Sequence, residues 1–99
     1  MTAELIIAPE AEQDLLQAYE WYEDRRRGLG DEFLDCVDAC IQGICRMPLL
    51  YAKVYEEFRR ALLRRFPYAV FYEHTGTKVT VYCIFHTSQD PEKWRHRLQ

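Results

Sequence analysis

The stretch FRRALLRRFPYAVFYEHTGTKVTVYCIFH, residues 58–86, decides the fold of this 99-residue chain. It divides into three runs rich in aromatic and β-branched residues, a composition typical of strands: Phe58–Phe66, Tyr68–His74 and Lys78–His86. Thr75-Gly76-Thr77 joins the last two runs and suits a hairpin connection. The stretch therefore predicts three consecutive antiparallel strands, a meander.

The third run also predicts how its side chains divide between the faces of the sheet. Successive side chains of a strand point to opposite faces. We expect one face to carry Val79, Val81, Cys83 and Phe85, and the other to carry Thr80, Tyr82, Ile84 and His86. The run therefore predicts one unbroken strand that keeps each set on its own face.

Upstream of the meander the sequence predicts a short strand at residues 4–8 and then a helix. Pro9 suits a first helical turn, where the missing N–H would have no partner in any case. Apolar residues recur at helical spacing up to about Arg27: Ala11, Leu15, Ala18, Tyr19 and Tyr22. This spacing predicts an amphipathic first helix.

A second helix follows the break at Gly28-Leu29-Gly30. We expect Asp31 to cap it and Pro48 to end it. Its apolar stripe is Phe33, Val37, Cys40, Ile41 and Ile44. Two helices with so tight a connection predict an antiparallel hairpin.

These elements predict one α+β domain over residues 1–99: an N-terminal strand, and a helical hairpin packed on an antiparallel sheet that ends in the three-strand meander. We interpret Leu49–Glu57 as a loop. Asp90-Pro91 can open a short final helix that carries Trp94.

Charge is distributed unevenly along the chain. Residues 1–57 hold 13 acidic and 5 basic residues, whereas residues 58–99 hold 3 acidic and 8 basic residues. This asymmetry indicates a basic functional surface on an acidic scaffold. The net charge of −3 argues against a dedicated nucleic-acid binder. With no run of the roughly 20 apolar residues that span a bilayer, and no secretory signal, we expect a cytoplasmic protein.

The four cysteines have no metal-binding spacing. Cys36, Cys40 and Cys45 lie within one predicted helix, Cys83 lies in a strand, and no histidine is near the first three in sequence. We interpret them as small apolar residues in a reducing compartment, with a redox role as the alternative. No motif of the sequence calls for a metal or a cofactor.

The densest candidate for function is the arginine stretch, defined by Arg59, Arg60, Arg64 and Arg65. One interpretation is solvated charge that keeps a strand edge from aggregating. The other is a set of bidentate donors for carboxylates or phosphates. Four arginines within seven residues of an acidic chain favour the second interpretation.

Histidine and aromatic residues supply weaker candidates. His86 ends the last strand and suits general acid–base work near neutral pH, although a single histidine is more often structural. Six aromatic residues suit base stacking but fit core and sheet packing better: Tyr19, Trp21, Tyr22, Tyr68, Tyr72 and Tyr82.

Over about 95 residues the chain resembles the RelE/ParE toxins of type II toxin–antitoxin systems, a family that includes plasmid stabilisation proteins. Five segments carry the resemblance, in order and at the family's spacing: Ala8–Leu15, Gly28–Leu34, Arg59–Tyr68, Phe85-His86, and Asp90-Pro91 with Trp94. The resemblance implies a toxin that binds other proteins and is held in check by a cognate antitoxin. It implies no cofactor.

The family divides by target, and the resemblance leaves three alternatives. ParE-like members poison DNA gyrase, RelE-like members cut messenger RNA on the ribosome, and a degenerate member would only bind its antitoxin. Nuclease members commonly carry an arginine in a Tyr/His-Arg-Leu-Val-Tyr pattern, where this chain has Tyr68-Ala69-Val70-Phe71-Tyr72. Basic residues that often follow the strand-end histidine are replaced by Thr87-Ser88-Gln89. Both departures favour the gyrase target.

The resemblance assigns the candidate site as follows. The residues expected to bind a partner are Arg59, Arg60, Arg64, Arg65, His86 and Trp94. If the protein were a nuclease, Arg64 and His86 would be its catalytic candidates. The expected partners are the antitoxin and gyrase, with no membrane and no specific nucleic-acid binding outside the antitoxin complex.

Overall fold

The computed structural model describes residues 2–99 and contains three helices and five strands in an α+β arrangement. In chain order the elements are β1 (Glu4–Ile7), α1 (Pro9–Arg25), α2 (Leu29–Arg46), β2 (Lys53–Tyr55), β3 (Phe58–Leu62), β4 (Tyr68–Thr75), β5 (Lys78–His86) and α3 (Pro91–Arg97). The predicted fold class is confirmed, with both helices of the hairpin, the three-strand meander and the short final helix in place.

The strands form one sheet in the order β1-β5-β4-β3-β2. The meander β3-β4-β5 is antiparallel, as predicted, but β1 lies parallel to β5, so the sheet is mixed. The stretch Leu49–Glu57 is not all loop, because it contains β2, which pairs with β3 through Lys53–Arg59 and Tyr55–Phe58. A strand of three residues is too short to show an alternating pattern, which is why the sequence did not predict it.

The hairpin of α1 and α2 is closed by Glu23. Its carboxylate accepts the backbone N–H groups of Gly28 and Gly30 at 2.9–3.1 Å. Gly28 is the residue that caps α2, at φ 88°, so the predicted cap at Asp31 is wrong and Asp31 lies in the first turn. A side chain at Gly30 would begin 2.7 Å from the ring of Tyr19. Because Gly30 has no side chain, α1 and α2 can approach closely.

The hairpin packs on one face of the sheet and forms the larger core, which we call core 1. Phe33 lies at its centre, fully buried, with the rings of Tyr22, Phe66 and Tyr68 centred 5.1–5.4 Å away. We expected the apolar stripes of the two helices to face the sheet. Their members Ala11, Phe33, Val37 and Ile41 are buried, whereas Leu15 and Tyr19 are half-buried.

A bulge in β5 divides the strand between the two faces of the sheet. Phe71 pairs with Cys83 and Tyr72 pairs with Val81, so Tyr82 is an extra residue without a partner on β4. The predicted unbroken alternation is therefore wrong. Val79, Val81 and Ile84 belong to core 1, while Cys83 faces the opposite side.

The opposite face carries a smaller core, core 2, beneath α3. Its buried residues are Ala69, Phe71, Cys83, Trp94 and Leu98. The side chain of Asp90 caps α3 by accepting the N–H of Glu92 at 3.0 Å, as its position before Pro91 predicted. Within residues 2–99, none of the three helices is both long enough and apolar enough to cross a membrane.

Candidate partner-binding surface

The arginine stretch begins in β3, where neighbouring side chains take opposite faces. Arg59 is opposite Tyr72 in the register, and its guanidinium donates to the carbonyl oxygen of Tyr51 at 2.6 Å. Arg60 is opposite Phe71 and is exposed. The fold thus uses Arg59 to hold the loop before β2, and it leaves the side chain of Arg60 at the surface.

The second arginine pair lies in the connection between β3 and β4. Arg65 is exposed and forms a 2.7 Å ion pair with Glu32 of α2, which also binds Arg26 at 2.8 Å. These hydrogen bonds from Arg65 and Arg26 lower the pKa of the Glu32 carboxyl. Arg64 forms no salt bridge within residues 2–99. Arg64 is therefore the arginine of this pair that is available to a partner.

Arg64 lines a concavity between α2 and β3, which we call the α2–β3 groove. It measures about 350 Å³ and is lined by Cys36, Ala39, Cys40, Gly43, Arg46, Tyr51, Leu62 and Arg64. Burial raises the pKa of the Cys40 thiol to about 11, so Cys40 is a protonated apolar lining at neutral pH. The described chain contains no cluster of three or more His, Cys, Asp or Glu residues that could hold a metal ion.

His86 lines a different concavity, between α1 and the end of β5, which we call the α1–β5 groove. It measures about 430 Å³, and its walls include Asp14, Gln17, Ala18, Trp21, Tyr68, His86 and Ser88. Arg64 is not part of its lining. The structure therefore does not bring the two catalytic candidates into one cavity.

The imidazole of His86 is held in one orientation. Its Nδ1 accepts the backbone N–H of Ser88 at 3.0 Å and lies 2.7 Å from the hydroxyl oxygen of Ser88. The ring also packs edge-on against Tyr68, at 5.2 Å between centroids. Because Nδ1 accepts from a backbone donor, the neutral ring carries its proton on Nε2. The geometry gives His86 a local structural role at the end of β5.

Asp14 belongs to the α1–β5 groove, and sequence reasoning gave it no role there. Its Oδ2 accepts the backbone N–H of Ile84 at 3.0 Å and forms a 3.0 Å ion pair with Arg97 of α3. The pairing of β1 with β5 ends at Val81, so beyond that residue β5 has a free edge. Asp14 and Arg97 cover this edge and tie α1, β5 and α3 together. In the sequence Asp14 looked like one more acidic residue near a helix start.

The positions of the two tryptophans differ from those expected. Trp94 was expected at the partner-binding surface, and Trp21 was expected in the core. Trp94 is only 8% exposed and stacks on Phe71 at 4.8 Å, so its ring is part of core 2. Trp21 is 50% exposed beside the α1–β5 groove, with the guanidinium of Arg25 3.7 Å from its ring centre. Trp21 falls outside the apolar stripe of α1, and that was the signal for its exposure.

Comparisons with known proteins agree on one family. The family model described as the ParE toxin of type II toxin–antitoxin system, parDE, matches residues 5–91. Toxin ParE2 of Mycobacterium tuberculosis, in strains CDC 1551 / Oshkosh and ATCC 25618 / H37Rv, is 28% identical over 92 residues, covering 92% of this chain and 88% of the relative. A chain of the chromosomal ParDE TA system from P. aeruginosa has the same fold, with a TM-score of 0.78 at 14% identity, over 88% of this chain and 98% of that one.

Proposed function

The chain belongs to the ParE toxin family of type II toxin–antitoxin systems, and we propose that it arrests bacterial growth by binding DNA gyrase and is neutralised by a cognate antitoxin. Both partners would meet it in the cytoplasm. In this proposal the basic surface serves protein recognition, and no cofactor takes part.

The observation that carries this proposal is that Arg64 and His86 line different concavities. Cleavage of RNA through its 2′-hydroxyl needs a base, an acid and cations around the same phosphate. Arg64 lines the α2–β3 groove, whereas His86 lines the α1–β5 groove, with Nδ1 engaged by Ser88. This separation supports a binding role for the arginines over the nuclease alternative.

Ala69 supports the same choice. It occupies the position at which nuclease members commonly carry an arginine, and it is 2% exposed in core 2. No cation can act from this position in the present chain. The residues after His86 are the uncharged Thr87, Ser88 and Gln89, so the α1–β5 groove gains no basic group there either.

An antitoxin with acidic residues suits the exposed arginines. Arg60 and Arg64 are exposed, and the stretch 58–99 carries 8 basic residues against 3 acidic ones. Arginine binds carboxylates through two parallel hydrogen bonds, which gives such contacts direction as well as strength. We therefore expect Arg60 and Arg64 to lose solvent exposure when the antitoxin binds, and Arg65 to do so only if it leaves Glu32 or shares that carboxylate with the antitoxin.

The test of this function is made in growing bacteria. The chain is induced alone and together with the small protein encoded beside its gene, while incorporation of labelled thymidine and methionine is followed. We expect growth arrest that begins with DNA synthesis, and full rescue by the neighbouring protein.

Each other outcome has a distinct meaning. If methionine incorporation stops first, the protein acts on translation, as the nuclease alternative requires. If growth continues although the neighbouring protein binds, the chain is an antitoxin-binding member without toxicity. If no small neighbouring protein exists or binds, the antitoxin part of the proposal is wrong.

A further inference from the structure

Arg46, which no sequence motif singled out, belongs to two concavities at once. It lines the α2–β3 groove, and it also lines a larger hollow of about 650 Å³ on the other side of the end of α2. The walls of this hollow include Ala3, Arg46, Met47, Pro48, Leu49, Leu50, His74 and Thr77. Because Arg46 lines both, the groove and the hollow adjoin at this residue, and together they make up the surface at the C-terminal end of α2. We call it the α2-end surface.

The groove side of this surface is cationic. Arg46 and Arg64 both line the α2–β3 groove, and neither forms a salt bridge within residues 2–99. By contrast, Arg26, Arg65 and Arg97 each have a carboxylate partner at 2.7–3.0 Å. Two unpaired guanidinium groups on one concavity repel each other, and a carboxylate between them relieves that repulsion.

The hollow side is apolar and exposed. Met47, Leu49 and Leu50 are 57%, 66% and 64% exposed on one short loop. Single exposed leucines are common at protein surfaces, but three large apolar side chains on one loop favour contact with a partner.

Hydrogen bonds from the sheet hold the loop that carries these side chains. The hydroxyl group of Tyr72 donates to the carbonyl oxygen of Pro48 at 2.6 Å, and Arg59 donates to that of Tyr51 at the same distance. Tyr72 itself is fully buried in core 1. A loop held in this way loses little further freedom when a partner binds, which favours affinity.

We propose that the α2-end surface holds one segment of the antitoxin, with a carboxylate between Arg46 and Arg64 and apolar side chains on Met47, Leu49 and Leu50. This inference rests on the proposed function, because it specifies the chemistry of the antitoxin segment. Charge complementarity requires an acidic residue in the occupant, and the loop requires apolar ones next to it. The surface consists of two concavities that adjoin at Arg46, and a flexible segment can enter both more easily than a flat folded face can.

A second copy of this chain fits the surface less well. A two-fold symmetric contact would place the same surface on both partners and bring Arg46 and Arg64 of each copy together. Like charges buried against each other are costly at an interface.

The experiment measures the affinity of the small protein encoded beside this chain's gene, by titration calorimetry at two salt concentrations. Arg46→Gln and Arg64→Gln each remove one guanidinium, and Leu49→Ser removes one apolar contact. The matched controls are Arg27→Gln and Leu16→Ser. Arg27 lies two residues before α2, at the end opposite Arg46, and Leu16 is 57% exposed on α1. All five positions are exposed, so the variants should keep the fold, which a thermal melt checks.

We expect each of the three surface variants to weaken binding about tenfold or more, and the controls to change it by less than about threefold. The arginine variants should also reduce the salt dependence of binding, whereas Leu49→Ser should leave it unchanged.

Several results would overturn the inference. If the wild-type chain binds its neighbour and is neutralised by it while all three surface variants bind normally, the α2-end surface is not the docking site and the proposed function stands. If Leu16→Ser weakens binding as much as Leu49→Ser, the effect is not specific to the α2-end surface, and this surface is again not the docking site. If the wild type does not bind at all, the antitoxin part of the proposed function fails as well. Self-association that Leu49→Ser abolishes would assign the surface to a second copy.

Discussion

The two faces of the sheet are covered to very different extents. Core 1 lies beneath two helices of 17 and 18 residues, and it has the aromatic cluster around Phe33 at its centre. Core 2 lies beneath a helix of seven residues, and half-buried aromatic side chains such as Tyr55, Phe58 and Tyr82 border it. Burial of apolar surface is the main favourable term in folding. The hairpin face should therefore decide whether the domain folds, and the α3 face should contribute less.

The largest effect is expected at the centre of core 1. Phe33→Ala removes a fully buried ring and leaves a cavity that the rings of Tyr22, Phe66 and Tyr68 cannot close. We expect a loss of about 3–5 kcal/mol in the free energy of unfolding, measured by reversible denaturant unfolding. Leu34→Ala, at the next position, where the side chain is 37% exposed, should cost less, about 1–1.5 kcal/mol. A loss below about 1 kcal/mol for Phe33→Ala would contradict the role of core 1.

A smaller effect is expected in core 2. Trp94→Ala removes the ring that stacks on Phe71, but α3 is short and can detach while the rest of the domain remains folded. We expect a loss of about 2–3 kcal/mol, below the range for full truncation of a core tryptophan. Hydrogen exchange should show fast exchange confined to α3. Exchange that accelerates equally throughout the sheet would show that the two faces unfold as one unit.

The next largest effect on stability is expected for the ion pair between Asp14 and Arg97, which joins the two faces at the edge of β5. Asp14→Asn removes the charge that Arg97 binds but keeps an oxygen that can accept the N–H of Ile84. The side chains are only 13% and 27% exposed, so we expect a loss of about 1–2 kcal/mol in the same unfolding experiment. Glu12→Gln, an exposed change on the same helix, is the control. Equal stabilities for the two variants would contradict the assigned role of Asp14.

The smallest effect is expected at the exposed Arg26–Glu32–Arg65 network. Hydrogen bonds from Arg65 and Arg26 lower the pKa of Glu32 in the folded state below its ordinary value of 4.5. The stabilisation is therefore complete above that value and is lost as the pH falls through the lower folded pKa. The stability difference between wild type and Glu32→Gln should be constant near pH 7 and shrink in acid. A difference that grows on acidification would contradict this assignment.

The difference between the two faces also explains how much of the fold the sequence could predict. Core 1 was predictable because the stripes of α1 and α2 repeat over several turns each. Core 2 was only partly predictable, because the bulge at Tyr82 reverses the alternation of β5 without any glycine or proline to mark it. The strand β2 was not predicted because three residues are too few to show an alternating pattern.

The candidate site was predictable in composition but not in arrangement. The sequence indicated the arginines, yet only the fold shows that Arg59 binds a loop carbonyl oxygen, that Arg65 pairs with Glu32, and that Arg64 has no ion-pair partner among the described residues. Arg46 looked like an ordinary basic residue at the negative end of a helix. Its place in the same groove as Arg64 depends on the packing of α2 against β3, which no local pattern encodes.

The most direct test of the central claim is supercoiling of relaxed plasmid by purified DNA gyrase in the presence of increasing amounts of the purified toxin. We predict that the wild-type chain inhibits supercoiling or traps cleaved DNA. Arg64→Ala should do the same only at a higher concentration, because losing an interface contact of this kind typically costs about 2 kcal/mol or more. Normal supercoiling at every concentration, together with ribosome-dependent cleavage of messenger RNA that Arg64→Ala and His86→Ala each slow by orders of magnitude, would contradict the claim.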